Sequence, residues 1–243
     1  MMMGRAGVLV LVGTVVSLGG CATLPPVYQL SPSGGEVIWS AGRPVVQQER
    51  DGVQVAVAFA ESAGDKLGLR VQIANVGAER FEVSARNVTF TACSSTMNAS
   101  CAPTAWAIDP EAELARVDRQ AHDEQASANA TQGALAVLLV LNAVADVGAI
   151  ASGHADRSTG SGTAATANLM DSSAASHEHT MGKLQIERDF WANAALRRST
   201  IDPAQAVSGI VMVPLYPKAR YVWLHVRVGP RQFSFRFEQA LVG

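Results

Sequence analysis

Tyr221-Val222-Trp223-Leu224-His225-Val226-Arg227-Val228, then Gly229-Pro230, then Arg231-Gln232-Phe233-Ser234-Phe235-Arg236-Phe237-Glu238 is the stretch that decides the fold. Val222, Leu224, Val226 and Val228 alternate with Tyr221, Trp223, His225 and Arg227, and Phe233, Phe235 and Phe237 alternate with Gln232, Ser234, Arg236 and Glu238. Side chains on a strand point to opposite faces in turn, so this alternation predicts two strands, each with one apolar and one wet face, joined at Gly229-Pro230. A lone hairpin cannot bury its apolar face, so further strands must cover it.

Those strands are found at the other end of the chain. Val45 to Glu49 and then Val53, Val55, Val57 and Phe59 flank Asp51-Gly52, a strong hairpin signal. Leu69, Val71 and Ile73 follow the Gly64-Asp65 turn, and Phe81, Val83, Ala85, Val88 and Phe90 follow the turn at Asn75-Val76-Gly77. Late in the chain, Leu196 to Ile201 and Ile210 to Leu215 add two more strands around Asp202-Pro203. Strands at both ends of one chain belong to one sheet system, because either half alone would leave an apolar face and open edges. The expected fold is therefore mainly β: an immunoglobulin-like antiparallel β-sandwich interrupted by a helical insertion.

The insertion is expected over residues 104–195. Asp109-Pro110 supplies an N-cap with Pro at the first helical position, and Glu111 and Glu113 suit the positive end of a helix. From Glu111 to Thr131 the helix is polar, with a thin stripe of Leu114, Val117 and Ala121. Residues 133–151 then turn strongly apolar, with Leu135, Leu138, Leu139, Leu141 and Val144 among them and only Asn142 and Asp146 interrupting. Such a helix suits burial in protein or between copies, insertion in a bilayer, or a disordered adhesive segment. Its length is marginal for a span of ~20 residues, which favours burial. Residues 152–176, rich in Ser, Gly, Thr and Ala, read as a flexible linker, and 178–196 as a returning helix with Met181, Leu184, Phe190 and Trp191.

The first 21 residues have a different logic. Arg5 precedes an apolar run from Ala6 to Leu18, too short for a permanent span and laid out like a secretory signal. The run ends in Leu18-Gly19-Gly20-Cys21, which resembles the lipobox of bacterial lipoproteins; the likeness covers residues 1 to 21 only. That resemblance implies cleavage before Cys21, acylation of its thiol, and anchoring by several acyl chains, each buried methylene contributing ~0.8 kcal/mol. Ala22, where an Asp would favour retention at the inner membrane, implies the outer membrane, facing the periplasm. Residues 1–20 are then a signal peptide and 21–42, rich in Pro, Ser and Gly, a tether with Val37-Ile38-Trp39 at its end. The sandwich halves follow as 43–103 and 196–243. The mature part is loosely similar to uncharacterised envelope lipoproteins, a likeness that brings no activity with it.

With Cys21 assigned to lipid, Cys93 and Cys101 remain, flanking a small polar loop, and an oxidising compartment predicts a disulfide between them. One of the 19 basic residues, Arg5, and none of the 21 acidic ones precedes Cys21, so the remainder is close to neutral. No basic block is present to attract nucleic acid. The sequence carries no G-x-S-x-G elbow, S-x-x-K pair, phosphate-binding glycine loop or H-E-x-x-H. The expectation is thus a non-enzymatic protein without cofactor or small-molecule ligand. Its partners would be the membrane, through lipid, and a protein or further copies of itself. The insertion would be the interaction arm, with Tyr221 and Trp223 as exposed aromatic contacts. The alternative is a metal-binding protein or metal-dependent hydrolase using His154, His177 and His179.

Overall fold

The structure, a computed structural model, describes residues 26–95, 101–151 and 160–242. In chain order its strands are β1 (Val27–Pro32), β2 (Val37–Ser40), β3 (Arg43–Arg50), β4 (Val53–Ala63), β5 (Lys66–Asn75), β6 (Phe81–Val83), β7 (Val88–Cys93), β8 (Ala105–Trp106), β9 (Ser199–Ile201), β10 (Ala206–Pro214), β11 (Tyr221–Val228) and β12 (Arg231–Val242). Between β8 and β9 come two long helices, α1 (Pro110–Ala151) and α2 (Gly160–Asp189), the second closing in a π-helical turn, Phe190–Ala194.

Two antiparallel five-stranded sheets carry the body, in the orders β1-β12-β11-β7-β8 and β10-β5-β4-β3-β2, with β6 and β9 as a small separate pair. Alternation decides which side chains face inward. Val222 lies opposite Phe237, Leu224 opposite Phe235 and Val226 opposite Phe233, so the last hairpin presents a solid apolar face. It closes on Val55 and Val57 of β4, Leu69, Val71 and Ile73 of β5, and Val211 and Val213 of β10, forming one buried cluster. Full burial of each such side chain contributes roughly 1.5–3 kcal/mol. This is the expected β-sandwich with a helical insertion.

The Asp51-Gly52 hairpin forms as its sequence requires. Both residues have positive φ, 49° and 75°, and a β-carbon at position 52 would come within 2.8 Å of Gly77 Cα. Cys93 and Cys101 are disulfide-bonded and sit opposite each other across the strands that the loop joins. Residues 96–100 of that loop, like Cys21 and the whole signal region, lie outside the described residues.

Three expected boundaries are corrected. Residues 27–40 are not tether: β1 pairs with β12 and β2 with β3, and Leu30 is buried in the core. Pro, Ser and Gly limit what this stretch could bury alone, but the open edges of β12 and β3 supply the missing partners. Arg236 Nε further donates to both Ser33 O and Ser33 Oγ, each at 2.9 Å. The insertion begins later than position 104, because β8 pairs with β7 and Ala107 enters the core. The supposed linker is helical from Gly160 onward, since its alanines favour helix, no proline interrupts it and α1 lies alongside.

Candidate interaction site

The helical insertion rises from the sandwich between β8 and β9, and it can be followed from its base. Asp109 caps α1: its Oδ1 accepts from Glu111 N at 3.2 Å, and Pro110 fills the first helical position. Arg197, just past the insertion, grips Glu111 through two bonds of 2.9 Å, from Nε to Oε1 and from Nη2 to Oε2. This bidentate pair holds the entry and exit of the arm together, and Glu111 raises the pKa of the Arg197 guanidinium.

Above the clamp, the apolar stripe of α1 is the face that packs. Val117 is fully buried, in a cluster with Leu184 of α2, Trp191, Ala195, and Ile210 and Met212 of β10; Leu114 and Ala121 pack at its margin. β10 is thus covered on both faces, Val211 and Val213 toward the sandwich and Ile210 and Met212 toward the arm. Its outer edge is covered too: Leu196 N donates to Ile210 O and Ile108 N to Met212 O, both at 2.9 Å. Gly209 allows this approach, since a β-carbon there would stand 2.5 Å from Leu196 Cα. The seat of the arm was legible in principle, because Ile210-Val211-Met212-Val213 is a continuous apolar run rather than an alternating one, the pattern of a strand buried on both sides.

Further out, polar pairs align the helices antiparallel. Arg116 meets Glu187, Arg188 Nε donates to Asp118 Oδ1 at 2.8 Å, and His177 Nδ1 lies 3.5 Å from Glu124 Oε1. Glu113, and behind it Glu187, raise the pKa of Arg116 against a desolvation that lowers it. Exposed pairs of this kind contribute ~0–1 kcal/mol each, so they set register more than stability.

Beyond this zone the arm turns apolar without turning inward. Val137 is 58% exposed, Leu138 50% and, on α2, Leu169 59%, while Leu135 is half-buried. Leu139, Leu141 and Val144 continue the same helix, outside the residues whose side-chain surroundings are described. Among the described residues no helix is long and apolar enough to cross a membrane.

The other candidates separate. His177 and His179 share no face because α2 is helical there: two positions span about 200° of turn. His177 is half-buried against α1, His179 is exposed, and His154 lies outside the described residues. Among the described residues no group of three or more metal-ligating side chains converges. Tyr221 and Trp223, expected as exposed contacts, are half-buried under Arg236, whose guanidinium stands 6.0 Å and 5.5 Å from their ring centres. A polar cleft of about 380 Å³ opens beside the clamp, between Glu82, Ser84, Asn87, Asp109, Glu111 and Arg198. Its carboxylates each face an arginine, Glu82 with Arg198, Asp109 with Arg86 and Glu111 with Arg197, and the Ser84 hydroxyl bonds Asn87 Oδ1. That arrangement neutralises the charge of the cleft.

What the chain presents is a helical hairpin seated firmly at its base, with Val137, Leu138 and Leu169 exposed further out. Comparison with family models, with curated proteins and with solved structures gives no match for this chain.

Proposed function

We propose that the protein is a lipid-anchored, non-enzymatic component of the bacterial envelope, held by acyl chains on Cys21 at the outer membrane and facing the periplasm, and that its helical arm assembles it with protein, either further copies of itself or a partner subunit. The lipobox-like Leu18-Gly19-Gly20-Cys21 supports the anchoring, and the arm supports the assembly role. The observation that carries the reading is the contrast within the arm: a base fastened by the Arg197–Glu111 clamp and the Val117–Trp191–Met212 cluster, and an outer half with Val137, Leu138 and Leu169 in solvent. Apolar helix left open is characteristic of contact surfaces, because its burial against a second apolar face is the largest gain in association.

The test is a truncation that spares the base. Removing residues 126–175 and joining the helices by a short Gly-Ser turn keeps Val117, Leu184 and Trp191 in place. Native mass spectrometry of the detergent-extracted chain should show an assembly, homomeric or with a co-extracted subunit, that the truncated chain does not form, while both unfold at the same temperature. An unchanged stoichiometry after truncation would remove the arm from the assembly role.

A further inference from the structure

Because β1 begins at Val27, the link from Cys21 to the sandwich is short. Only residues 22–26 separate Cys21 from the first paired residue of the sandwich, Val27, which lies opposite Val242. Six steps of at most ~3.6 Å allow a reach of about 20 Å, so a bilayer holding Cys21 lies close against the end of the sandwich where β1 begins and β12 ends.

That end is apolar. Val27 is 54% exposed, Leu241 59% and Val242 47%, on the two strands that meet there. β2 runs back toward this end and carries Trp39 part of the way. Gln48 Nε2 donates to Ser234 O and Arg50 Nη1 to Gln232 O, so β3 descends as β12 rises, and Pro44 stands near the level of Glu238, between the Ser234 row and Val242. Trp39 pairs with Pro44, and Ile38 with Val45. Trp39 is 75% exposed, a large indole held in solvent on a strand whose four residues are all exposed.

We propose that this end of the sandwich, through Val27, Trp39, Leu241 and Val242, rests on the phospholipid surface that holds the acyl chains of Cys21, so that the body is docked and oriented rather than suspended. The inference rests on the anchoring proposed above. The occupant follows from the length of chain: whatever lipid holds Cys21 is within reach of this patch, and an indole with an apolar body and a polar N–H suits the headgroup boundary. The opposite half of the first sheet offers a control, because Trp106, also exposed, pairs with Thr89 in the row of His225 and Ser234, well down β12 from Val242.

The experiment uses the chain purified from membranes and reconstituted into phosphatidylethanolamine and phosphatidylglycerol vesicles, with or without bromine on the acyl chains, and reads tryptophan emission. Brominated vesicles should quench the wild type, the quenching should be lost in Trp39→Phe, and it should persist in Trp106→Phe. Intact mass of the same sample reports acylation of Cys21. Acylated protein with equal emission in both vesicles overturns the docking and leaves the anchor standing; an unacylated Cys21 overturns both.

Discussion

The sandwich and the arm bury apolar side chains by opposite strategies. In the sandwich the inward side chains of the two sheets close into one cluster, and Phe233, Phe235 and Phe237 are closed off from water completely or nearly so. In the arm, the buried cluster among the described residues lies at the base, around Val117, Leu184 and Trp191, while Val137, Leu138 and Leu169 further out are exposed. Equal hydrophobicity therefore has different meanings in the two places: in the body it is stability, and in the arm, on the assembly role proposed above, it is a surface for association.

Substitutions should separate the two. Phe235→Ala leaves a cavity in the sandwich and should cost about 3–5 kcal/mol in urea unfolding, whereas Leu138→Ala should change that value by less than about 0.5 kcal/mol and act on assembly instead. If the two variants lost stability equally, the contrast would be wrong. Replacing Cys93 and Cys101 by serine should cost the sandwich about 2–3 kcal/mol by freeing the unfolded chain, with the helical circular dichroism of the folded protein unchanged.

The seam between the regions is probed by Gly209→Ala, expected to cost ~1–3 kcal/mol, because its new methyl meets the backbone of Leu196. Faster amide exchange at Leu196 and Ile108, with β11 and β12 unaffected, would show that the damage stays at the seam. The smallest effect concerns pH. Burial lowers the pKa of His225 from its ordinary 6.5, and its Nδ1 lies 2.9 Å from Ser234 Oγ. The unfolded chain then takes up the proton more readily than the folded one, so sandwich stability should fall as pH drops below about 6.5 and level off below the folded-state value. His225→Gln should flatten that slope, measured as unfolding midpoint against pH.

Much of the body was legible in the sequence. The period-two runs from Val53 and from Tyr221, and the Asp51-Gly52 turn, carry their own instructions, since alternation and turn chemistry are local. What was missed depends on distant partners. β1 and β2 have too few apolar residues to declare themselves and become strands because β12 and β3 offer open edges. Residues 160–176 carry the Ser, Gly and Thr of a linker, yet they form helix beside α1. The stripe of Leu114, Val117 and Ala121 was readable as an apolar face, but its counterpart on β10 requires knowing that Ile210 and Met212 point away from the sandwich. Tyr221 and Trp223 were placed correctly on the polar face; their cover by Arg236 is a pairing across the hairpin that composition does not reveal.

The dimensions of α1 have a mechanical corollary. Its 42 residues extend about 60 Å at 1.5 Å per residue, and among the described residues its contacts with the sandwich lie near its first turns. A tilt of about 10° at the Arg197–Glu111 fulcrum would carry the far tip through roughly 10 Å, so a sub-ångström adjustment beside β10 is magnified into a displacement as wide as a helix.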